Sequence, residues 1–256
     1  MATGPRKPGE FCWINMLTPD PAKAREFFGA LLRWSYGEIP GMGHFIEAAG
    51  KHVGGLFDLH GPGTPPGLPP AIGVMVKVTS ADAIAERARA VGGSAKPAFD
   101  IAESGRMAEC TDPTGAKLDV WEPKRMDATE VDTSRHGAPS WFELLTTDTG
   151  RAARFYGDLF GWTAEAMALP DMQYTTFKLG ESLVGGMMAI TPDMRGVPPH
   201  WGVYFTVDDV DATAREAQRL GGTLFVPLRD IPGVGRFCGI VSPQGVRFYA
   251  ITYAAR

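Results

Sequence analysis

The sequence predicts an α+β chain built from four β-α-β-β-β modules, arranged as two tandem copies of one domain. Three observations predict it. The same landmarks recur at an offset that stays near 130 residues. Within each copy, short apolar runs alternate with stretches whose apolar residues fall on a single helical face. Glycine and proline punctuation stands at matching places in both copies. Copy one covers residues 10–124, copy two 139–256, and 125–138 connects them. That connecting stretch is polar and charged from Met126 to His136, the composition of an interdomain linker.

The repeat is read from matched segments. Cys12-Trp13-Ile14-Asn15-Met16-Leu17-Thr18 answers Ser140-Trp141-Phe142-Glu143-Leu144-Leu145-Thr146, and each reads as a short strand. Asp20 is a good N-cap and Pro21 suits a first helical turn. Ala24, Phe27, Phe28, Leu31 and Leu32 then give one apolar helix face, matched by a helix near Gly150–Phe160. Strands over Phe45–Ala48 and Val53–Leu59 follow, with Val53-Gly54-Gly55 answering Val184-Gly185-Gly186. The second module opens on a strand at Ile72–Val78 and a helix at Ala81–Val91, stopped by Gly92 and matched near Val210–Leu220. Later strands end at Trp121, after Asp112-Pro113-Thr114-Gly115, which answers Ser242-Pro243-Gln244-Gly245. The proline-rich run Gly61–Pro70 joins the modules of copy one as an extended connector, and Thr191–Pro199 does so in copy two.

Composition narrows the function. With 44% hydrophobic and 21% charged residues the chain is of ordinary globular type, and a net charge of -4 with no basic stripe argues against nucleic acid or an anionic membrane as partner. The stretch Met1–Gly9 lacks the apolar run of a signal peptide, and no segment approaches membrane-spanning length. Three cysteines without a CxxC pair read as core thiols in a reducing compartment. The expectation is a cytoplasmic protein, monomer or homodimer, whose partner is a small molecule.

These residues resemble the vicinal oxygen chelate superfamily of glyoxalases, bleomycin-resistance proteins and extradiol dioxygenases, in particular its two-domain glyoxalase-like members. The resemblance rests on Asp-x-x-x-Ala-x-x-Phe-Phe/Tyr-Gly after the first strand, Val207-Asp208-Asp209-Val210-Asp211 before the last helix, the Gly-Gly pair after it, and Asp/Ser-Pro-x-Gly before the final strand. It implies two glyoxalase/bleomycin-resistance-type domains, each a cupped mixed sheet with flanking helices that holds a small ligand. In the metalloenzymes of the superfamily, four cup positions carry His and Glu or Gln. Here those positions correspond to Trp13, Gly55 or Leu56, Gly73 and Asp119 in copy one, and to Trp141, Gly186 or Met187, Gly202 and Tyr249 in copy two. An indole is a donor only, and one carboxylate does not hold a transition metal against water. No metal site and no cofactor is therefore expected.

Strand alternation assigns faces, and the orientation that the resemblance implies turns an aromatic face toward each cup. Trp13, Asn15, Asp119 and Trp121 face cup one; Trp141, Glu143, Tyr204, Arg247 and Tyr249 face cup two. They make candidate ligand-binding residues, or alternatively core filling. Glu143, flanked by Trp141 and Leu145, is the candidate general base, because desolvation raises a carboxyl pKa. Its bland alternative is an ion pair with Arg247 or Arg236. Tyr249 is the second catalytic candidate, as proton donor or as an orienting group. Arg106 and Arg236 match between copies, with anion binding or pairing to Asp100 and Asp230 as the two readings. The functions that follow are a metal-independent binding protein with an aromatic pocket, a lyase, isomerase or hydroxylase-like enzyme using Glu143, or a metal-dependent glyoxalase or dioxygenase.

Overall fold

The computed structural model describes residues 4–61, 64–169 and 172–254. Pro62 and Gly63 of the proline-rich connector, and the first three and last two residues of the chain, lie outside the described residues. In the first half, β1 (Phe11–Thr18) leads into α1 (Pro21–Leu32), β2 (Ser35–Ile39), β3 (Gly43–Ala48) and β4 (Lys51–Asp58). Then come β5 (Ala71–Lys77), α2 (Ala81–Ala90), β6 (Ser94–Ala95), β7 (Phe99–Ile101), β8 (Gly105–Thr111) and β9 (Lys117–Pro123). The second half runs β10 (Pro139–Thr146), α3 (Thr149–Phe160), β11 (Thr163–Leu169), β12 (Met172–Leu179), β13 (Ser182–Ala189) and β14 (His200–Thr206). It ends with α4 (Val210–Arg219), β15 (Thr223–Ile231), β16 (Gly235–Val241) and β17 (Arg247–Tyr253). All four helices open on a side-chain N-cap: Asp20, as expected, and Ser80, Asp148 and Asp209 each accept a backbone N–H three residues on.

Each half forms its own mixed sheet. The strand orders are β2-β3-β4-β1-β5-β9-β8-β6, with β7 also on β8, and β11-β12-β13-β10-β14-β17-β16-β15. The halves differ where Pro97 separates β6 from β7, since proline has no N–H for the ladder. In the second half the matching strand, β15, runs through Pro227 by shifting register between Val226 and Arg229.

A bulge in each central strand decides which residues see the cup. In β1 the register shifts between Phe11 and Trp13, and in β10 between Pro139 and Trp141. In β1 the extra residue lets Phe11 join Ile14 and Met16 in the core, while Trp13 falls in a separate cluster with Met75 and Trp121. Tyr204, Tyr249 and Ile251 form the matching cluster of the second half.

One hydrophobic core serves both halves, with residues from all four helices. Phe11 stacks on Phe142 at 4.0 Å, and Phe28 packs against Phe248 at 5.1 Å. The Trp34 indole donates to Gly137 O, just before the second half, and Trp162 donates to Gly9 O, just before the first, both at 2.8 Å. Those two glycines have left-handed φ of +80° and +90°, and a Cβ at Gly137 would meet Leu32 O at 2.1 Å. Residues 125–138 are held rather than loose: Val131 is fully buried, its carbonyl accepts from Arg6, and the Thr133 carbonyl accepts from Thr206. No helix among the described residues is long and apolar enough to cross a membrane.

Candidate functional site

The two cups belong to a cleft system of about 2810 Å³. Four large hydrophobic side chains are exposed among the described residues, Met42, Phe99, Met167 and Leu183, and all four line this cleft. Exposed apolar side chains gathered in one concavity mark a binding surface better than scattered ones do.

In cup two, Glu143 lies on the central strand β10 between two glycines, opposite Gly186 of β13 and Gly202 of β14. The glycines make room for tyrosines. A Cβ at 186 would stand 2.0 Å from the Tyr174 hydroxyl oxygen, and one at 202 would stand 2.8 Å from the Tyr249 ring. Glu143 is 6% exposed. Its Oε2 accepts from the Tyr174 hydroxyl at 2.9 Å and its Oε1 from the Tyr204 hydroxyl at 3.0 Å. Tyr174 in turn accepts from the Trp141 indole at 2.8 Å. Tyr204 stacks on Tyr249 at 4.3 Å, 10° from parallel. Burial pushes the Glu143 carboxyl above its usual range, against the two tyrosine hydrogen bonds, which favour its charged form. Arg247 lies over the Phe225 ring at 5.2 Å.

One alternative from the sequence is corrected here, and the pairing of Arg106 and Arg236 with Asp100 and Asp230 is met. Glu143 is not ion-paired with Arg247 or Arg236; tyrosines hold it. Arg236 pairs with Asp211 and Asp230, and Arg106 with Asp82 and Asp100, so both arginines brace the start of a helix against a strand. The other candidates fall where alternation places them: Trp141, Tyr204, Arg247 and Tyr249 line cup two with Glu143, and Trp13, Asn15 and Asp119 line cup one. Trp121 packs against Trp13 and Met75 in the wall of cup one, its indole donating to Met126 O at 3.1 Å.

Tyr174 was missed. Its counterpart across the repeat is Gly43, since the cross-strand pair Tyr174–Met188 answers Gly43–Phe57. Comparing the copies therefore hides it. The available signal was Gly186 itself, a glycine in a strand interior, which marks the close approach of another group.

Cup one is built on the same frame with other contents. Asn15 lies opposite Gly55 and Gly73. The Phe57 ring covers Gly55, while Gly73 is open, the nearest atom to its missing Cβ being at 3.7 Å. The Asn15 amide donates to Met75 Sδ at 3.4 Å and stands near Asp119, whose carboxyl is pushed up to about 7 by burial and by the negative charge of Glu109.

The family metal does not fit either cup. Tyrosines fill the space over Gly186 and Gly202, and a phenylalanine fills that over Gly55. No three His, Cys, Asp or Glu side chains gather in metal-binding fashion among the described residues. His52 stacks on Phe45 and pairs with Glu47, His136 bridges Leu31 O and Asp208, and His200 bonds Pro198 O. The cysteines are buried, with Cys110 and Cys238 pushed up to about 12 by burial, which leaves them unreactive.

The family model of the Glyoxalase/Bleomycin resistance protein/Dioxygenase superfamily matches residues 138–249. CFP32 of Mycobacterium tuberculosis, which carries a glyoxylase name, is 39% identical over 244 residues, covering 92% of each chain. The anthracycline biosynthesis protein DauV of Streptomyces sp. is 30% identical over 259 residues, covering 95% of this chain and 93% of its own. Among solved structures, the Mn(II)-bound glyoxalase of Novosphingobium aromaticivorans superposes with a TM-score of 0.66 at 16% identity, over 96% of this chain and 82% of that one. The 2,2',3-trihydroxybiphenyl 1,2-dioxygenase of Sphingomonas wittichii gives 0.67 at 10%, over 96% and 91%. At those identities the structural likeness concerns the fold.

Proposed function

Since the chain belongs to the glyoxalase/bleomycin resistance/dioxygenase superfamily, we propose that it is a metal-independent small-molecule-binding protein whose ligand, a planar aromatic compound bearing hydroxyl groups, enters cup two. One observation carries this reading. The Trp141–Tyr174–Glu143–Tyr204 hydrogen-bond chain and the Tyr204–Tyr249 stack fill the space over Gly186 and Gly202, two positions that correspond by sequence to ligands of the metalloenzymes. Stacked tyrosines favour a flat π-surface, and Glu143 offers an acceptor for a ligand hydroxyl. The anthracycline biosynthesis names of two relatives agree with a polycyclic aromatic ligand. Three buried, unpaired thiols support a reducing, cytoplasmic setting.

The test is titration of 1,4-dihydroxyanthraquinone into the protein, followed by tryptophan fluorescence with and without EDTA. Saturable binding that EDTA leaves unchanged supports the proposal. Binding that EDTA abolishes and manganese restores overturns it. A second reading, favoured by the raised Glu143 carboxyl, makes Glu143 a general base. If turnover of a bound compound is found, Glu143→Gln should reduce kcat by about 100-fold or more; unchanged kcat removes Glu143 from catalysis.

A further inference from the structure

We infer that cup one is a second binding site, specific for an organic cation: a protonated amine carried on an apolar body. It rests on residues outside cup two and stands or falls separately from the reading of that cup.

Asp119 supplies the anion. It pairs with Met75 across β9 and β5 and lines the open cleft, with its Oδ2 4.0 Å from where a Gly73 Cβ would be. Its polar neighbour is the Asn15 amide, which donates to Met75 Sδ at 3.4 Å. No ion pair is formed by Asp119 among the described residues. Of the two nearby lysines, Lys96 is taken by Glu109, and Lys117 stands exposed at the start of β9. Glu109, cross-strand partner of Asp119, is satisfied by Lys96, so Asp119 is the carboxylate left without a paired cation. A carboxylate held in a cavity without a paired base gains most from a cation brought by a ligand, because desolvation strengthens the attraction.

The walls supply the rest. Trp13 is 8% exposed, stands edge-on to Phe45 at 6.3 Å, and lines the same cleft with Ile101 and Met107. An indole face beside a carboxylate is a favourable seat for an ammonium group, and the apolar walls receive its hydrocarbon. The Trp13 indole N–H has no hydrogen-bond partner among the described residues, whereas that of Trp141, its counterpart in cup two, is engaged by Tyr174. Open to the cleft, that donor is available to a polar ligand atom. Cup two offers no comparable seat, because tyrosine hydroxyls already surround its carboxylate.

The probes are benzylamine, a cation at pH 7.5, and benzyl alcohol, its neutral counterpart, each titrated into the full chain by calorimetry. Expected is saturable binding of benzylamine, weakened about tenfold or more for benzyl alcohol and for Asp119→Asn. Glu143→Gln, in the other cup, should bind benzylamine as the wild type does. Trp13→Leu gives an independent check and should weaken benzylamine about fivefold. Equal affinity for the two probes, full affinity in Asp119→Asn, loss in Glu143→Gln, or no saturable binding of benzylamine would each overturn the inference.

Discussion

Replacing Asp119 by asparagine should make the protein more stable, and only above mildly acidic pH. The carboxyl is raised from 3.8 to about 7 by burial and by Glu109, with Lys96, Lys117 and the Asn15 amide acting the other way. At about 1.36 kcal/mol per pH unit, a rise of about three units amounts to about 4 kcal/mol. Partial solvent screening at the cup makes that figure an upper bound. The sign follows from proton counting. Below pH 4 the carboxyl is protonated in both states, and asparagine mimics it. Between pH 4 and 7 the unfolded chain has lost a proton that the folded chain keeps, so wild-type stability falls with rising pH through this carboxyl. Above 7 both states are ionised, and the folded state retains the whole cost. Urea unfolding of wild type and Asp119→Asn at pH 4.5, 6, 7 and 8.5 reads the difference directly. It should grow from about 1 kcal/mol or less at pH 4.5 to a plateau of about 2–4 kcal/mol in favour of the variant. Glu143, in the other cup, contributes equally to both proteins and cancels. A pH-independent difference, or a variant less stable at pH 8.5, would refute the account.

Three further outcomes follow from the geometry. Tyr174→Phe leaves the Trp141 indole and one Glu143 oxygen without their partner, and should lower stability in urea by about 1–3 kcal/mol. Gly186→Ala places a Cβ where the Tyr174 hydroxyl stands, so it should displace that ring and lose dihydroxyanthraquinone binding to the same extent as Tyr174→Phe; a variant that binds as wild type would show that Tyr174 does not matter for the ligand. Asp112→Ala removes the acceptor for three backbone N–H groups of its own turn and for the Tyr156 hydroxyl of α3, at a cost of about 3 kcal/mol. Because Tyr156 belongs to the other half, calorimetry should show one shared transition moving down, not the first half melting ahead of the second.

Sequence made local features legible and left the long-range ones dark. The helices could be read because N-caps, terminators and one-faced apolar spacing all lie within a dozen residues. That Asn15, Glu143, Asp119 and Tyr249 share a face with their strand's aromatics or polar groups was readable from alternation, and the family resemblance supplied which face meets the cup. Tyr174 was not, because its approach to Glu143 depends on the register between β12 and β13 and on a bare glycine between them. The shared core was equally hidden. Phe11 and Phe142 stack on each other across the two halves, a contact that no pattern within either copy announces.

The glycines explain why the two cups can share a frame and differ in chemistry. Each central polar residue, Asn15 or Glu143, sits between two glycines on adjoining strands, which leaves a gap on either side of it. What fills the gap decides the site. In cup two, aromatic rings occupy both, one brought by β12 and one by β17, so the carboxylate on β10 is enclosed by hydroxyls and presents a planar surface. In cup one, β3 carries Gly43 where β12 carries Tyr174, and the covering ring comes from Phe57 on β4 instead. The second gap stays open beside Gly73, and the carboxylate moves to β9 as Asp119. A side chain long enough to ligate a metal from any of these glycine positions except 73 would collide with a ring. Aromatic filling and metal ligation are thus alternative uses of one space, and the difference between the cups reduces to which strand supplies the ring and which the charge.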